Sequence, residues 1–341
     1  MTSLPLPIFE PSEMRKTPLV GIAKIAAEGE TLDPGHNVEF FTMGVRSILN
    51  RVVSKRKVPF VWSINPYRGC EFACKYCYAR YAHEFIEELD AYQFERKIYV
   101  KQNAGWLLRR DLKKVKPGEQ IAIGAATDPY QPAERTYGVT RALLEEFAQH
   151  RGFEIGMITK SNLILRDLDL IKRVAENNTI TISLTVTTTN VELARKLEPR
   201  APRPDLRLNA VKTINEAGIR CGVSCAPVLP GITDSPKDLA AVIKAAGEAH
   251  ACWVHINPLF LKPCSRQVFL PFVKEQFPQL VKLYDERYGN RDFATPQYSK
   301  RIGELTRKLC AKYGVGRRRE EWQSNAPVAV LPEEEQMKLF G

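Results

Sequence analysis

Residues 65–80 read Asn65-Pro66-Tyr67-Arg68-Gly69-Cys70-Glu71-Phe72-Ala73-Cys74-Lys75-Tyr76-Cys77-Tyr78-Ala79-Arg80. Cys70, Cys74 and Cys77 follow C-x3-C-x2-C spacing, with an aromatic before the third cysteine. Thiolates this close in sequence wrap one corner of a metal centre. Three of them leave a four-iron cluster with one iron lacking a protein ligand, and an open metal position is where chemistry happens. Zinc is the competing metal. His83, on the stretch after the loop, would complete a tetrahedral Cys3His site. Structural zinc sites usually pair their ligands across two short knuckles, whereas these three cysteines share one loop. That favours iron–sulfur, with His83 expected on the surface of the helix after the loop.

The chain has 341 residues, enough for one large core or two modest ones. A composition of 44% hydrophobic and 26% charged residues is that of a soluble globular protein and argues against disorder. No apolar run approaches the ~20 residues of a membrane span. Met1-Thr2-Ser3-Leu4-Pro5 lacks the basic start and apolar core of a secretory signal. A cytoplasmic location is expected, where thiols stay reduced and structural disulfides are rare. The net charge of +11 favours an anionic partner, nucleic acid first. Basic residues cluster at Arg51, Lys55, Arg56 and Lys57, at Arg109, Arg110, Lys113, Lys114 and Lys116, and at Arg317, Arg318 and Arg319. Some of these are expected to form ordinary solvated helix faces. Cys221 and Cys225 would face the same side of a strand. They are expected to pack as small hydrophobes rather than to hold a second cluster.

After residue 60, short apolar runs alternate with amphipathic stretches, the signature of β/α units on a parallel sheet. Strands are expected at 60–65, 120–125, 154–159, 179–186, 219–226 and 252–259. Helices are expected over about 80–89, from about Thr140, through Ile164, Leu168, Ile171 and Val174, and over 206–217. Ser235 as N-cap with Pro236 at N1 opens a fifth helix. The fold class is therefore α/β, a partial (β/α)6 barrel of the TIM type, because right-handed crossovers curl such a sheet. The core spans 58–265, after an irregular extension at 1–57. Helices at 266–315 pack on the barrel and a charged tail follows at 316–341. The cluster loop, the loop Thr127-Asp128-Pro129-Tyr130-Gln131-Pro132-Ala133-Glu134, Lys160 and the loop Leu197-Glu198-Pro199-Arg200 would converge at the strands' C-terminal ends.

The cysteine run, the Thr-Asp-Pro-Tyr-Gln-Pro-Ala-Glu loop, Leu197-Glu198-Pro199-Arg200-Ala201-Pro202 and Ala226-Pro227-Val228-Leu229-Pro230-Gly231-Ile232-Thr233-Asp234 together resemble one family. They are similar to the radical S-adenosylmethionine (SAM) proteins related to spore photoproduct lyase, which reverses a thymine lesion in DNA. The resemblance covers about residues 58–315. It implies a [4Fe–4S] cluster on Cys70, Cys74 and Cys77, with the amino and carboxylate groups of SAM on the fourth iron. It implies reductive cleavage of SAM to a 5′-deoxyadenosyl radical that acts on DNA or another nucleotide-bearing substrate, and a flavodoxin or ferredoxin as electron donor. By the same resemblance Tyr76 lies near the adenine and Tyr78 near the radical site. Lys160 is the candidate for the SAM carboxylate, where a cation has an electrostatic role. Ser183 and Thr185 are candidates for the ribose, and Asp128 and Glu134 for the methionyl ammonium. One departure stands out. The lyase has a hydrogen-donating cysteine just after its second strand, and Gly124-Ala125-Ala126-Thr127-Asp128 contains none; Cys225 is the substitute considered. The alternative function is a non-catalytic zinc module that binds nucleic acid through its basic surface.

Overall fold

Six parallel strands run in sequence order across one sheet of the computed structural model, which describes residues 19–35, 38–52 and 58–316. The strands of the chain are β1 (Thr31–Gly35), β2 (Val38–Met43), β3 (Leu49–Arg51), β4 (Trp62–Ile64), β5 (Tyr67–Arg68), β6 (Lys97–Lys101), β7 (Gln120–Ile123), β8 (Glu154–Thr159), β9 (Thr179–Thr185), β10 (Arg220–Val228) and β11 (Val254–Pro258). The main sheet has the order β11-β10-β9-β8-β7-β4-β3, with only β3 antiparallel to its neighbour. This is the expected α/β partial barrel of six β/α units. Its strands agree with the sequence reading to within two residues at each end.

Register explains the two faces of the sheet. Ile64, Ile123, Met157, Ile182 and Cys221 lie opposite one another on successive strands. All five are buried, and they belong to one apolar core. That core is closed by the helices Val139–Phe147, Leu168–Asn177, Pro204–Glu216 and Pro236–Glu248, which contribute Leu143, Phe147, Ile171, Val174, Val211, Ile214 and Ile243. Each such side chain adds about 1.5–3 kcal/mol by leaving water. Side chains alternate along a strand. The intervening positions, among them Ile158, Ser183 and Gly222 in one row, therefore face the barrel lumen. Ser235 caps the last of these helices as expected, accepting from the Asp238 amide, and Pro236 follows at the first helical position.

Two expectations fail here. The N-terminal stretch is not irregular, because a helix at Gly21–Ala27 and strands β1 to β3 lie within it. Strands β1 and β2 join β5 and β6 in a second sheet, in the order β1-β2-β6-β5. Strands β1 and β2 pair as a hairpin, but β3 and β5 have only three and two residues, too short to leave a periodic signal in the sequence. The helix after the cysteines is also shorter than expected, a 3₁₀ turn at Tyr78–Arg80 and one α-turn at Tyr81–Glu84. The basic runs at 55–57 and 317–319 lie outside the described residues, as does nearly all of the charged tail. Among the described residues, no helix is long and apolar enough to cross a membrane.

Candidate functional site

The cysteine loop leaves β5 at the C-terminal edge of the main sheet and is clamped from several sides. Gln131 is fully buried; its Nε2 donates to the Gly69 carbonyl at 3.1 Å and its Oε1 accepts from the Glu71 amide at 3.0 Å. One carboxamide thus holds both chain neighbours of Cys70. The Glu71 carboxylate accepts from the Ala133 amide at 2.7 Å. Arg80, also fully buried, donates to the Cys74 carbonyl at 3.1 Å and pairs with Glu95. The Lys75 amide bonds the Leu197 carbonyl, and the Ser265 hydroxyl donates to the Cys77 carbonyl, each at 2.9 Å. Gly69 has φ +86°, and a Cβ there would lie 2.5 Å from the Lys97 carbonyl oxygen, so only glycine fits this turn.

The three thiols sit against an apolar wall that includes Phe72, Tyr76, Leu197 and Leu229. Burial pushes the Cys74 thiol up to about 12, although nearby Lys160 pulls the other way. Burial also drives Cys70 well above its ordinary value. Such thiols become thiolates when a metal supplies the countercharge. Among the described residues, no three His, Cys, Asp or Glu side chains gather closely enough to hold a single metal ion. Three thiolates on one loop are the donor set of an iron–sulfur cluster, each taking a separate iron. His83 is not the expected surface residue. It is fully buried, with Nε2 3.1 Å from the Lys97 carbonyl oxygen and its ring edge-on to Phe94 and Tyr99. Its imidazole fills a core gap rather than completing a zinc site.

Lys160 follows β8 directly, and its ammonium lies 5.8 Å from the centre of the Tyr76 ring. Its amide donates to Asp128 Oδ2 at 2.7 Å. Burial alone would lower the Lys160 pKa, but Cys74, Glu198 and Asp128 outweigh it and hold the value above the ordinary one. The Tyr76 hydroxyl bonds the Glu198 carboxylate, which also pairs with Arg207 at 2.5 Å. Burial would raise Glu198, yet Arg207 and Lys160 keep it below the usual carboxylate range. The structure therefore brings Tyr76, Lys160 and the cysteine loop together. Glu198, Arg207, Gln131 and Glu71 carry no role in the expectations from sequence, although Glu71, Gln131 and Glu198 lie inside the motifs quoted above.

The two candidate ammonium ligands have other partners. Asp128 Oδ1 accepts from the Tyr130 amide at 2.9 Å and the Thr159 hydroxyl at 2.6 Å, which shapes the loop after β7. Burial raises its pKa despite these bonds. Glu134 is fully buried and takes the Tyr67 hydroxyl, the amides of Thr140 and Arg141, and the Arg166 guanidinium. Its carboxylate is committed to protein groups. Ser183 and Thr185 are buried on the lumen face of β9. The Tyr78 ring is 40% exposed, and its hydroxyl bonds the Ala125 carbonyl just beyond β7. Cys225 lies on the opposite face of β10 from the lumen, fully buried in the core beside Val223. The hydrogen-donor role considered for it does not fit that placement.

The family model of the radical SAM superfamily matches residues 64–243. The chain belongs to the radical SAM superfamily. An uncharacterized protein of Mycobacterium tuberculosis is 31% identical over 296 residues, 86% of this chain and 87% of the relative. An uncharacterized protein of Methanocaldococcus jannaschii is 31% identical over 183 residues, 53% of this chain and 66% of that one. Among solved structures, a cysteine mutant of spore photoproduct lyase superposes with a TM-score of 0.61. Identity to it is 14%, over 80% of this chain and 79% of that one. A double mutant of the lyase, bound to AdoMet and dinucleoside spore photoproduct, matches equally well. These likenesses show that the two proteins share a fold.

Proposed function

We propose that this protein is a radical SAM enzyme that cleaves SAM reductively and acts on a nucleic acid or nucleotide. The observation that carries the reading is the meeting of Cys70, Cys74 and Cys77 with Lys160 and Tyr76 at one end of the lumen in a radical SAM chain. The three cysteines would hold a [4Fe–4S] cluster with one iron open. With SAM bound, that group supplies one-electron cleavage to a 5′-deoxyadenosyl radical.

The chain's own residues prepare the place. Lys160 presents a cation where the SAM carboxylate would lie. The Glu198–Arg207 pair fixes the Tyr76 ring as one wall, and Ser183 and Thr185 offer hydroxyls for the ribose. Asp128 sets the Lys160 backbone through its amide. Tyr78 stands at the exposed side of the loop, where it can touch both cofactor and substrate. The nucleic-acid part of the reading is supported by the net charge of +11 and by the fold shared with a DNA-lesion lyase. A flavodoxin- or ferredoxin-type protein would supply the electron, and the location would be cytoplasmic.

The deciding experiment is anaerobic purification and reconstitution, followed by reduction in the presence of SAM. Brown protein with about four irons per chain and release of 5′-deoxyadenosine are expected. Colourless protein holding one zinc ion and leaving SAM intact would remove the enzyme reading and restore the zinc module.

A further inference from the structure

The lumen has a second wall, which shares only Thr185 with the cofactor reading. Thr185, Ser224 and His255 stand opposite one another on β9, β10 and β11. Their neighbours Leu184, Val223 and Val254 belong to the core, so this row faces inward. Asn257 continues the same face of β11, with Nδ2 2.9 Å from His255 Nε2, and is exposed. Below the row, Trp253 packs against Gly222 of β10. A Cβ on Gly222 would fall 2.4 Å from its ring. Trp253 is 2% exposed, and its indole Nε1 has no hydrogen-bond partner in the described protein. Above the row, Tyr78 reaches from the Ala125 carbonyl beyond β7 to Phe260 just after β11, with ring centres 5.9 Å apart. Phe260 is held by stacking on Phe293 at 4.2 Å. Beside it, the Lys262 ammonium lies 3.8 Å from the centre of the Tyr81 ring.

These groups select a chemistry. The wall carries hydroxyl, imidazole and carboxamide groups, while Lys160, Asp128 and Glu198 stand at the cysteine-loop side. The cations nearest this wall, Arg220 beside Trp253 and Lys262 at the rim, are both held against aromatic rings, at 5.9 and 3.8 Å. An aliphatic group would offer the buried Trp253 N–H no partner. A planar heterocycle pairs its edge with such groups and its face with Tyr78 and Phe260, which is how extruded bases are held. Lys262 at the rim suits the adjoining phosphate.

We propose that Ser224, His255 and Asn257, with Trp253 as floor and Phe260 as stacking partner, form the substrate site and take one unstacked base of a single-stranded nucleic acid. This rests on the nucleic-acid reading above and names the residues that would read the base. The test uses reconstituted protein with SAM and measures affinity for short single-stranded homopolymers of each deoxynucleotide. An abasic chain with the same number of phosphates is the reference.

At least one homopolymer should bind about ten- to a hundredfold more tightly than the abasic chain, the scale of one stacked and paired base. Asn257→Ala and Phe260→Leu should each bring that homopolymer close to the abasic value and leave the abasic affinity unchanged. Iron content and melting temperature, measured in parallel, identify a variant that has lost its fold; Asn257, being exposed, tolerates truncation. Equal binding of base-bearing and abasic chains, or base dependence that survives Asn257→Ala, overturns the proposal and leaves the nucleic-acid reading standing. No binding of any oligonucleotide overturns both.

Discussion

Gln131 hydrogen-bonds Gly69 from a loop that follows a different strand, and the same carboxamide takes the Glu71 amide. A side chain with no exposed surface thereby sets the path of the backbone on both sides of Cys70. Gln131→Leu fills similar space and leaves a buried carbonyl and a buried N–H unpaired, each costing about 1–3 kcal/mol. We expect lower melting temperature and reduced iron uptake on reconstitution, with Gln131→Glu recovering only part of both. Wild-type iron content in Gln131→Leu would show that the clamp is dispensable.

Replacing Cys70, Cys74 or Cys77 with Ala should in each case abolish iron binding, because two thiolates do not hold a cube firmly. Cys252→Ala and Cys310→Ala should retain it, since Cys310 packs in the core and Cys252 lies against Asn215. Iron analysis after identical reconstitution separates the groups. Equal loss in both would point to general unfolding instead.

Lys160→Met keeps the aliphatic stem beside Tyr76 and deletes the charge. Charge-assisted hydrogen bonds contribute about 1.5–3 kcal/mol, so SAM should bind about ten- to a hundredfold more weakly with iron content unchanged. Anaerobic SAM titration of both proteins decides the matter, and equal affinities would take Lys160 out of the site.

His83 predicts a pH effect on stability. Burial, with Arg68, Lys97 and Arg80 nearby, lowers its pKa from 6.5 to about 4, against a smaller opposite pull from the Lys97 carbonyl. The unfolded chain therefore binds more protons between those values. His83 favours the fold fully above about pH 6.5, and the contribution drains away as pH falls towards 4, by about 3 kcal/mol in all. Urea melts of wild type and His83→Phe across that range should converge in midpoint as the pH drops. Parallel curves would show that His83 does not titrate with unfolding.

The barrel is legible because most of its strands are short runs rich in apolar or β-branched residues, followed by a helix with its own cap or periodicity. Thr179–Thr185 and the Ser235-Pro236 start are examples. The second sheet is not, since β5 has two residues and its partner β6 lies beyond an intervening helix and turn. The cysteines announced themselves by spacing. Asp128 and Glu134 were visible as acidic residues in a conspicuous loop, but the partners that occupy them, Thr159 and Arg166, are brought in by strand pairing that local pattern does not reveal. His83 reads as polar in sequence, and only the packing of Phe94 and Tyr99 around it accounts for its burial.

The bond from Ser265 to the Cys77 carbonyl joins positions 188 apart in the chain. Gln131 and Leu197 reach back to the same loop from between them. A ribosome delivers the cysteines long before it delivers these supports. A nascent chain that has just released Cys77 offers three thiols on a segment with nothing to hold its shape. Under the proposed function, loading of the cluster would be a late event, completed only after synthesis has passed residue 265.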